Sequence, residues 1–144
     1  MLHAVALCVS AIFVALALWH VKMALTSGAS MSSSGAVPTA DGKPLFVPSR
    51  TSTLAVAAFL FACSGLVAAT AGLVPLALSR GLLVALSSLL AVGLCARAVG
   101  EFKYVGFFKR VRGSKFARLD TLVYSPLCVA LAFGVAFVAW GDAS

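Results

Sequence analysis

Residues 5–19 read VALCVSAIFVALALW and lie inside an uncharged segment that extends from Met1 to Val21. A helix of about 20 apolar residues is long enough to cross the hydrocarbon core of a bilayer. The rest of the chain has the same character, since 62% of its 144 residues are hydrophobic and only 10% are charged. This composition excludes an ordinary water-soluble domain.

Three further uncharged segments follow, at residues 51–79, 81–96 and 121–141. Backbone polar groups in lipid must be bonded within the protein, so each segment is expected to be a helix. The pattern predicts an all-α fold, an integral membrane bundle of four transmembrane helices that forms a single domain over residues 1–144. The predicted spans are roughly 2–22, 52–77, 81–101 and 120–140.

The first segment could instead be a cleaved signal peptide. Such peptides begin with a charged region, and no Lys or Arg precedes the apolar run here. The first segment is therefore predicted to be retained as a helix.

The distribution of positive charge predicts the orientation. With four spans, loops 23–51 and 102–119 and the helix ends beside them lie on one side of the membrane, which then holds ten of the 11 basic residues. Only Arg80 lies on the other side. Because short loops rich in Lys and Arg remain in the cytoplasm, both loops are predicted to be cytoplasmic and both termini outside.

The second loop contains the densest run of positive charge, KRVRGSK at residues 109–115. We interpret this run as a topology determinant that lies against anionic lipid head groups. No nucleic-acid partner is expected, because a basic segment of about 20 residues held at both ends by a bilayer is too small for a folded reader. The predicted head-group contacts are Lys109, Arg110, Arg112 and Lys115.

Two acidic residues lie among these cations. Arg97 and Glu101 are four residues apart and can pair if the third helix continues to residue 101. Asp120 is placed to cap the fourth helix, with Arg118 nearby. The alternative is a polar pocket at the cytoplasmic interface that holds a lipid head group or an anionic metabolite. Its candidate residues are His20, Arg97, Glu101, Arg118, Asp120 and Tyr124.

His20 has two interpretations. It lies between Trp19 and Lys22, where an aromatic ring and a cation anchor a span at the interface. Catalysis by His20 with Glu101 or Asp120 is the alternative, since all three are predicted at one membrane level.

The cysteines predict neither redox nor metal chemistry. Each predicted span contains one of the four, without a C-x-x-C pair and without a His or carboxylate at ligand spacing. No cofactor and no metal are expected. No carboxylate lies in the middle of a span, which also argues against a proton-coupled exporter.

Small residues recur at helical spacing in the second span, at Ala58, Ala62, Gly65, Ala69 and Gly72. Such a stripe predicts close helix packing, and a ligand groove is the alternative. In the first loop, residues 37–50 contain three prolines and an Asp41-Gly42 turn signal. A small hairpin or lid and an extended linker are both compatible with that segment.

Residues 97–128 read RAVGEFKYVGFFKRVRGSKFARLDTLVYSPLC, and residues 36–50 read AVPTADGKPLFVPSR. Both stretches resemble a family of small bacterial integral membrane proteins, the domain of unknown function 3995. The matching elements are an acidic and an aromatic residue before VGFFK, then FAR-x-D-T and YSPLC. The resemblance implies a four-helix fold and a place in the bacterial cytoplasmic (inner) membrane, but it implies no activity.

The function predicted from the sequence is non-enzymatic binding of lipid head groups or of a protein partner at the cytoplasmic face. A membrane-embedded enzyme that acts on a lipid-like substrate through His20, Glu101 and Asp120 is one alternative. A small oligomeric transporter is another. The expected partners are the lipid bilayer, its anionic head groups, and a membrane protein or a second copy of the chain.

Overall fold

The computed structural model describes residues 1–26, 37–40 and 43–141. It confirms the all-α fold class, with four helices that are long and apolar enough to cross a membrane. The first three are α1 (Leu2–Leu25), α2 (Arg50–Thr70) and α3 (Arg80–Val99). The fourth span, Lys115–Trp140, consists of α4 (Lys115–Leu119), the π-helical turn π1 (Asp120–Tyr124) and α5 (Ser125–Trp140).

A short ladder lies between α1 and α2. Strand β1 (Thr39–Ala40) pairs antiparallel with β2 (Lys43–Pro44), and the Leu45 N–H donates to the Pro38 carbonyl at 2.9 Å. This pairing corresponds to the hairpin rather than to the extended linker. The predicted Asp41-Gly42 turn lies outside the described residues.

The last three spans begin in the same way, with a serine followed by a basic residue. The side-chain oxygens of Ser49, Ser79 and Ser114 accept hydrogen bonds from backbone N–H groups in the first turn, at 3.0, 3.3 and 3.0 Å. Such caps satisfy donors that have no partner within the helix. The fourth span therefore starts at Lys115, five residues before the predicted position. The prediction that Asp120 caps this helix is wrong.

The second span ends earlier than predicted, at Thr70 rather than near residue 77. Gly72 adopts a left-handed φ of 74°, which terminates the helix, and Pro75 follows. In the fourth span, Pro126 lies inside a continuous helical segment, directly after π1. Proline has no N–H to donate, and wider π turns are one way in which a helix accommodates such an interruption.

The helices pack as two close pairs, α1 with α2 and α3 with α5. The pairs meet at a shared core in which Phe13, Val67, Val135 and Val138 are almost completely buried. Contact between α2 and α3 is less extensive than contact within either pair. A gap between α2 and α3 follows from this arrangement.

Polar side chains connect the helices inside the bundle. Ser10 and Ser64 each donate to the other's backbone carbonyl, at 3.3 and 3.1 Å, and thereby join α1 to α2. Thr70 and Ser87 join α2 to α3 through their hydroxyls, which are 2.9 Å apart. Hydrogen bonds of this kind hold transmembrane helices together where lipid provides no hydrophobic drive.

The two ends of the bundle differ in charge. We call the end that carries the ladder and loop 100–114 the basic end, because Lys22, Arg50 and Arg97 also lie there, at the ends of α1, α2 and α3. Arg80 lies at the opposite end. Its guanidinium donates to the carbonyls of Thr70 and Gly141, at 2.6 and 3.2 Å, and so connects three helix ends.

Candidate functional site

Loop 100–114 folds tightly against the end of α3. Gly100 and Gly106 have φ values of 82° and 89°, in the left-handed region that favours glycine. A Cβ on Gly100 would overlap the Val105 carbonyl, and a Cβ on Gly106 would overlap the Val99 carbonyl. The two backbone segments can therefore approach each other only because both residues are glycine.

Further backbone hydrogen bonds hold the loop in place. The Phe107 N–H donates to the Ala98 carbonyl at 2.9 Å, and the Val111 N–H donates to the Lys103 carbonyl at 2.9 Å. The loop is thus an ordered cap on the basic end of the bundle.

Asp120 accepts three hydrogen bonds beneath this cap, and its side chain is fully buried. Its Oδ1 accepts from Arg97 Nη2 at 2.9 Å. Its Oδ2 accepts from Lys109 Nζ at 2.9 Å and from the Gly106 N–H at 2.7 Å. A helix, a loop and the π turn thus converge on one carboxylate.

Lys109 is buried as completely as its partner, with only 2% of its surface exposed. Besides Asp120, its Nζ donates to the Gly106 carbonyl at 2.9 Å and to Thr121 Oγ1 at 2.6 Å. All three ammonium hydrogens therefore have an acceptor. We call Arg97, Gly106, Lys109, Asp120 and Thr121 the Asp120 cluster.

The charges of the Asp120 cluster do not balance. Arg97 and Lys109 contribute two positive charges, and Asp120 contributes one negative charge, so the cluster carries a net charge of +1. The Arg97 side chain is 37% exposed as a whole, yet its Nη1 atom is buried and has no hydrogen-bond partner among the residues that the structure describes. Buried donors in native proteins are nearly always paired, so Nη1 is an exception.

The predicted pairing of the charged residues is partly wrong. Glu101 lies beyond the end of α3, is exposed, and accepts from the Tyr104 N–H at 3.2 Å. The described salt bridges of Arg97 and Lys109 both go to Asp120 instead. Arg118 is exposed and is not among the groups that bind Asp120.

Lys109 also departs from the predicted set of head-group contacts. Arg110, Arg112 and Lys115 are exposed, whereas the Lys109 ammonium is enclosed by protein acceptors. Spacing along the chain carried no signal for this difference, because Lys109 and Asp120 are eleven residues apart and lie in different elements. The motif elements VGFFK and FAR-x-D-T do contain both partners.

An apolar cavity of about 1300 Å³ occupies the gap between α2 and α3, and we call it the groove. At the basic end its wall includes Trp19, His20, Arg97 and Tyr124, and at the opposite end it includes Leu76 and Leu78. Three of the predicted pocket residues, His20, Arg97 and Tyr124, thus share one cavity. Glu101 and Arg118 are not part of its lining, and Asp120 lies behind Arg97.

The small-residue stripe of the second span contributes to the groove rather than to a dry helix contact. Ala62, Gly65 and Ala69 line it on α2, and Gly93 lines it on α3. A Cβ added to Gly65 or Gly93 would meet no atom within 4 Å. The groove alternative therefore describes this stripe better than the predicted packing face.

His20 is oriented by its own helix. Its Nδ1 lies 2.7 Å from the Leu16 carbonyl oxygen. A carbonyl oxygen can only accept a hydrogen bond, so Nδ1 carries the hydrogen in this contact. His20 also lines the groove, and Nε2 is its second ring nitrogen. His20 is thus one of the polar groups, with Arg97 and Tyr124, at the basic end of a largely apolar cavity.

These features define a class of protein: a four-helix membrane bundle with a buried ion cluster at one end of an apolar groove. Residues 13–136 match the family model described as "Protein of unknown function (DUF3995)", and the chain belongs to this family. The match confirms the resemblance and includes every residue of the Asp120 cluster. No curated protein and no solved structure matches the chain.

Proposed function

We propose that this membrane protein binds an anionic lipid without transforming it. The lipid head group lies at the basic end beside Arg97, and one acyl chain lies in the groove. In this proposal the basic end faces the cytoplasm of a bacterial cell, so the lipid belongs to the inner leaflet of the cytoplasmic membrane.

The observation that carries the proposal is the position of the Arg97 guanidinium at the polar end of an apolar cavity, with Nη1 unpartnered among the described residues. A guanidinium in this position is suited to a phosphate or carboxylate oxygen. An anionic head group would also neutralise the net charge of +1 in the Asp120 cluster. Charge and hydrogen-bonding capacity therefore favour the same occupant.

The part of the groove that follows α3 from Arg97 is long enough for an acyl chain. On α3 its lining extends from Leu86 to Arg97, which is about 16 Å at 1.5 Å per residue. One leaflet supplies about half of a hydrocarbon core that is about 30 Å thick. A chain anchored at Arg97 would therefore lie along α3 over the depth of one leaflet.

Aromatic and basic side chains around the basic end support contact with head groups. Phe102 and Phe108 are more than half exposed, and their ring centroids are 6.5 Å apart. The exposed cations Lys103 and Arg110 lie in the same loop. Cations near an anionic leaflet and aromatic rings at the interface are typical of membrane contact surfaces.

The arrangement favours binding over the enzyme alternative. Both Asp120 oxygens already accept hydrogen bonds from protein donors, and Glu101 lies outside the groove. No carboxylate is among the described residues that line the cavity beside His20. General acid–base catalysis by His20, Glu101 and Asp120 would need these groups within hydrogen-bond reach of one substrate.

The experiment fills the groove without altering its charge. Gly93→Leu and Gly65→Leu each place a side chain in open space within the groove. The control is Gly81→Leu, because a Cβ added to Gly81 also meets no atom within 4 Å and Gly81 does not line the groove. Each variant replaces a helical glycine by a better helix former, so loss of folding is not expected.

Native mass spectrometry of protein purified in mild detergent should show an anionic phospholipid bound to the wild type and to Gly81→Leu. We expect at least a tenfold lower occupancy in both groove variants, at an unchanged melting temperature. Equal occupancy in all four proteins would contradict the proposal, and so would equal retention of zwitterionic and anionic phospholipids by the wild type.

A further inference from the structure

We propose that a second cavity, next to the first part of the fourth span, is a binding site for a phosphate group. This cavity has a volume of about 460 Å³ and is separate from the groove. Its wall includes three cationic side chains, Arg112, Lys115 and Arg118, and the hydroxyl-bearing residues Ser114 and Thr121. The proposal does not depend on the lipid in the groove.

The composition of this wall suits an oxyanion. The guanidinium groups of Arg112 and Arg118 supply N–H donors and two positive charges, and no carboxylate is among the lining residues that the structure describes. Arginine binds phosphate oxygens through a planar fork of N–H groups. A phosphate with one or two negative charges is therefore the ligand that this surface neutralises best.

The backbone around the cavity is held in place. Arg112 Nε donates to the Lys109 carbonyl at 3.2 Å, so the start of this guanidinium is attached to the ordered loop. Lys115 and Arg118 are three residues apart in α4, a spacing that places two side chains on one helix face. Ser114 caps α4 through its bond to the Ala117 N–H and so sets where that face begins.

The cavity is also connected to the Asp120 cluster. Thr121 lines the cavity, donates to the Ala117 carbonyl at 3.1 Å, and accepts from Lys109 Nζ at 2.6 Å. Lys109 thus bonds to two residues of the cavity wall. Its Nζ donates to Thr121 Oγ1, and its backbone carbonyl accepts from Arg112 Nε. The buried ion pair of Lys109 with Asp120 therefore positions two residues of the proposed site.

The surrounding loop offers a matched comparison. Arg110 is exposed and lies two residues before Arg112, but it does not line the cavity. Gly113 lines the cavity, and a Cβ added to it would meet no atom within 4 Å. Gly113→Leu therefore occupies the cavity without a change of charge, whereas Arg110→Gln removes a charge without a change in the cavity.

The first part of the test uses inorganic phosphate and calorimetric titration of the full-length protein in zwitterionic nanodiscs at constant ionic strength. The second part uses phosphatidic acid and native mass spectrometry. In that part every protein also carries Gly93→Leu, so that binding in the groove does not contribute.

We expect Arg118→Gln and Gly113→Leu each to weaken binding at least about fivefold, and Arg110→Gln to weaken it less than twofold. This pattern with inorganic phosphate identifies a free phosphate as a ligand, and the same pattern with phosphatidic acid alone identifies a lipid head group. Either result supports the site. Equal losses in Arg110→Gln and Arg118→Gln would overturn the proposal in favour of a diffuse charge effect, and failure of both probes to bind would overturn it as well.

Discussion

Lys109 Nζ lies 2.9 Å from Asp120 Oδ2, and both side chains are almost completely removed from solvent. The pair joins loop 100–114 to the π turn of the fourth span. It gives one residue of the run KRVRGSK a structural role that its neighbours do not share. The basic run is therefore not a uniform surface.

Replacement of Lys109 by Ala should destabilise the protein far more than replacement of Arg110. Breaking a buried ion pair costs up to about 3–5 kcal/mol, and the remaining bonds of Asp120 to Arg97 and to the Gly106 N–H reduce this cost without removing it. Exposed side chains change the free energy of unfolding by about 0.5 kcal/mol or less. Folded yield and thermal unfolding in mild detergent would measure the difference. Similar losses in both variants would show that Lys109 is not held by Asp120.

Gly100→Ala and Gly106→Ala should each disrupt the loop that covers the Asp120 cluster. Both residues have a left-handed φ, and an added Cβ would overlap a backbone carbonyl oxygen in each case. Gly113→Ala is the control, because its Cβ would meet open space. We expect loss of folded protein for the first two and wild-type yield for the third, by size-exclusion chromatography. Normal yield of all three variants would contradict the close backbone approach.

The hydrogen bond between Thr70 and Ser87 should be measurable by a double-mutant cycle with Thr70→Val and Ser87→Ala. Interhelical hydrogen bonds in membranes contribute about 0.6 kcal/mol on average, with a maximum of about 1.7 kcal/mol. Ser88→Ala is a suitable control, since Ser88 donates at 2.8 Å to Val84 in its own helix. Unfolding in detergent mixtures would provide the coupling energy. A coupling energy near zero would mean that the hydrogen bond between the two hydroxyls does not contribute to stability.

Orientation can be tested with reporters fused after Ser144. The placement of ten of 11 basic residues on one side predicts that this terminus lies outside the cytoplasm. A periplasm-active phosphatase fused there should therefore be active, and a cytoplasm-dependent fluorescent protein should be dark. The opposite pattern would reverse the assignment of the basic end to the inner leaflet.

The difference between predicted and observed pairing has a definite physical origin. The i, i+4 rule that suggested Arg97 with Glu101 holds only while both residues belong to one helix. Gly100 ends α3 before residue 101, and the chain then returns so that Asp120 approaches Arg97 from 23 residues away. Neither Arg97–Asp120 nor Lys109–Asp120 has a signature in local spacing, because both depend on the path of the loop.

The small-residue stripe shows the same limit for packing. Spacing alone established that Ala62, Gly65 and Ala69 share one face of a helix. Whether a neighbouring helix covers that face depends on how α1, α3 and α5 share the core. The structure pairs α2 mainly with α1, and this leaves the stripe beside the groove.

Hydrophobicity along the chain was sufficient to determine the four spans, because an uncharged helix of this length has one stable environment, in which it satisfies its own backbone in lipid. The start of the fourth span was predicted at Asp120, whereas the structure begins this span after the Ser114 cap. Only the tertiary structure decided which of the basic residues is buried, which carboxylate pairs with Arg97, and where a cavity remains between helices. Those outcomes depend on contacts between residues that are distant in sequence and are brought together by loop geometry and helix packing. The local periodicity of the sequence carries no information about such contacts.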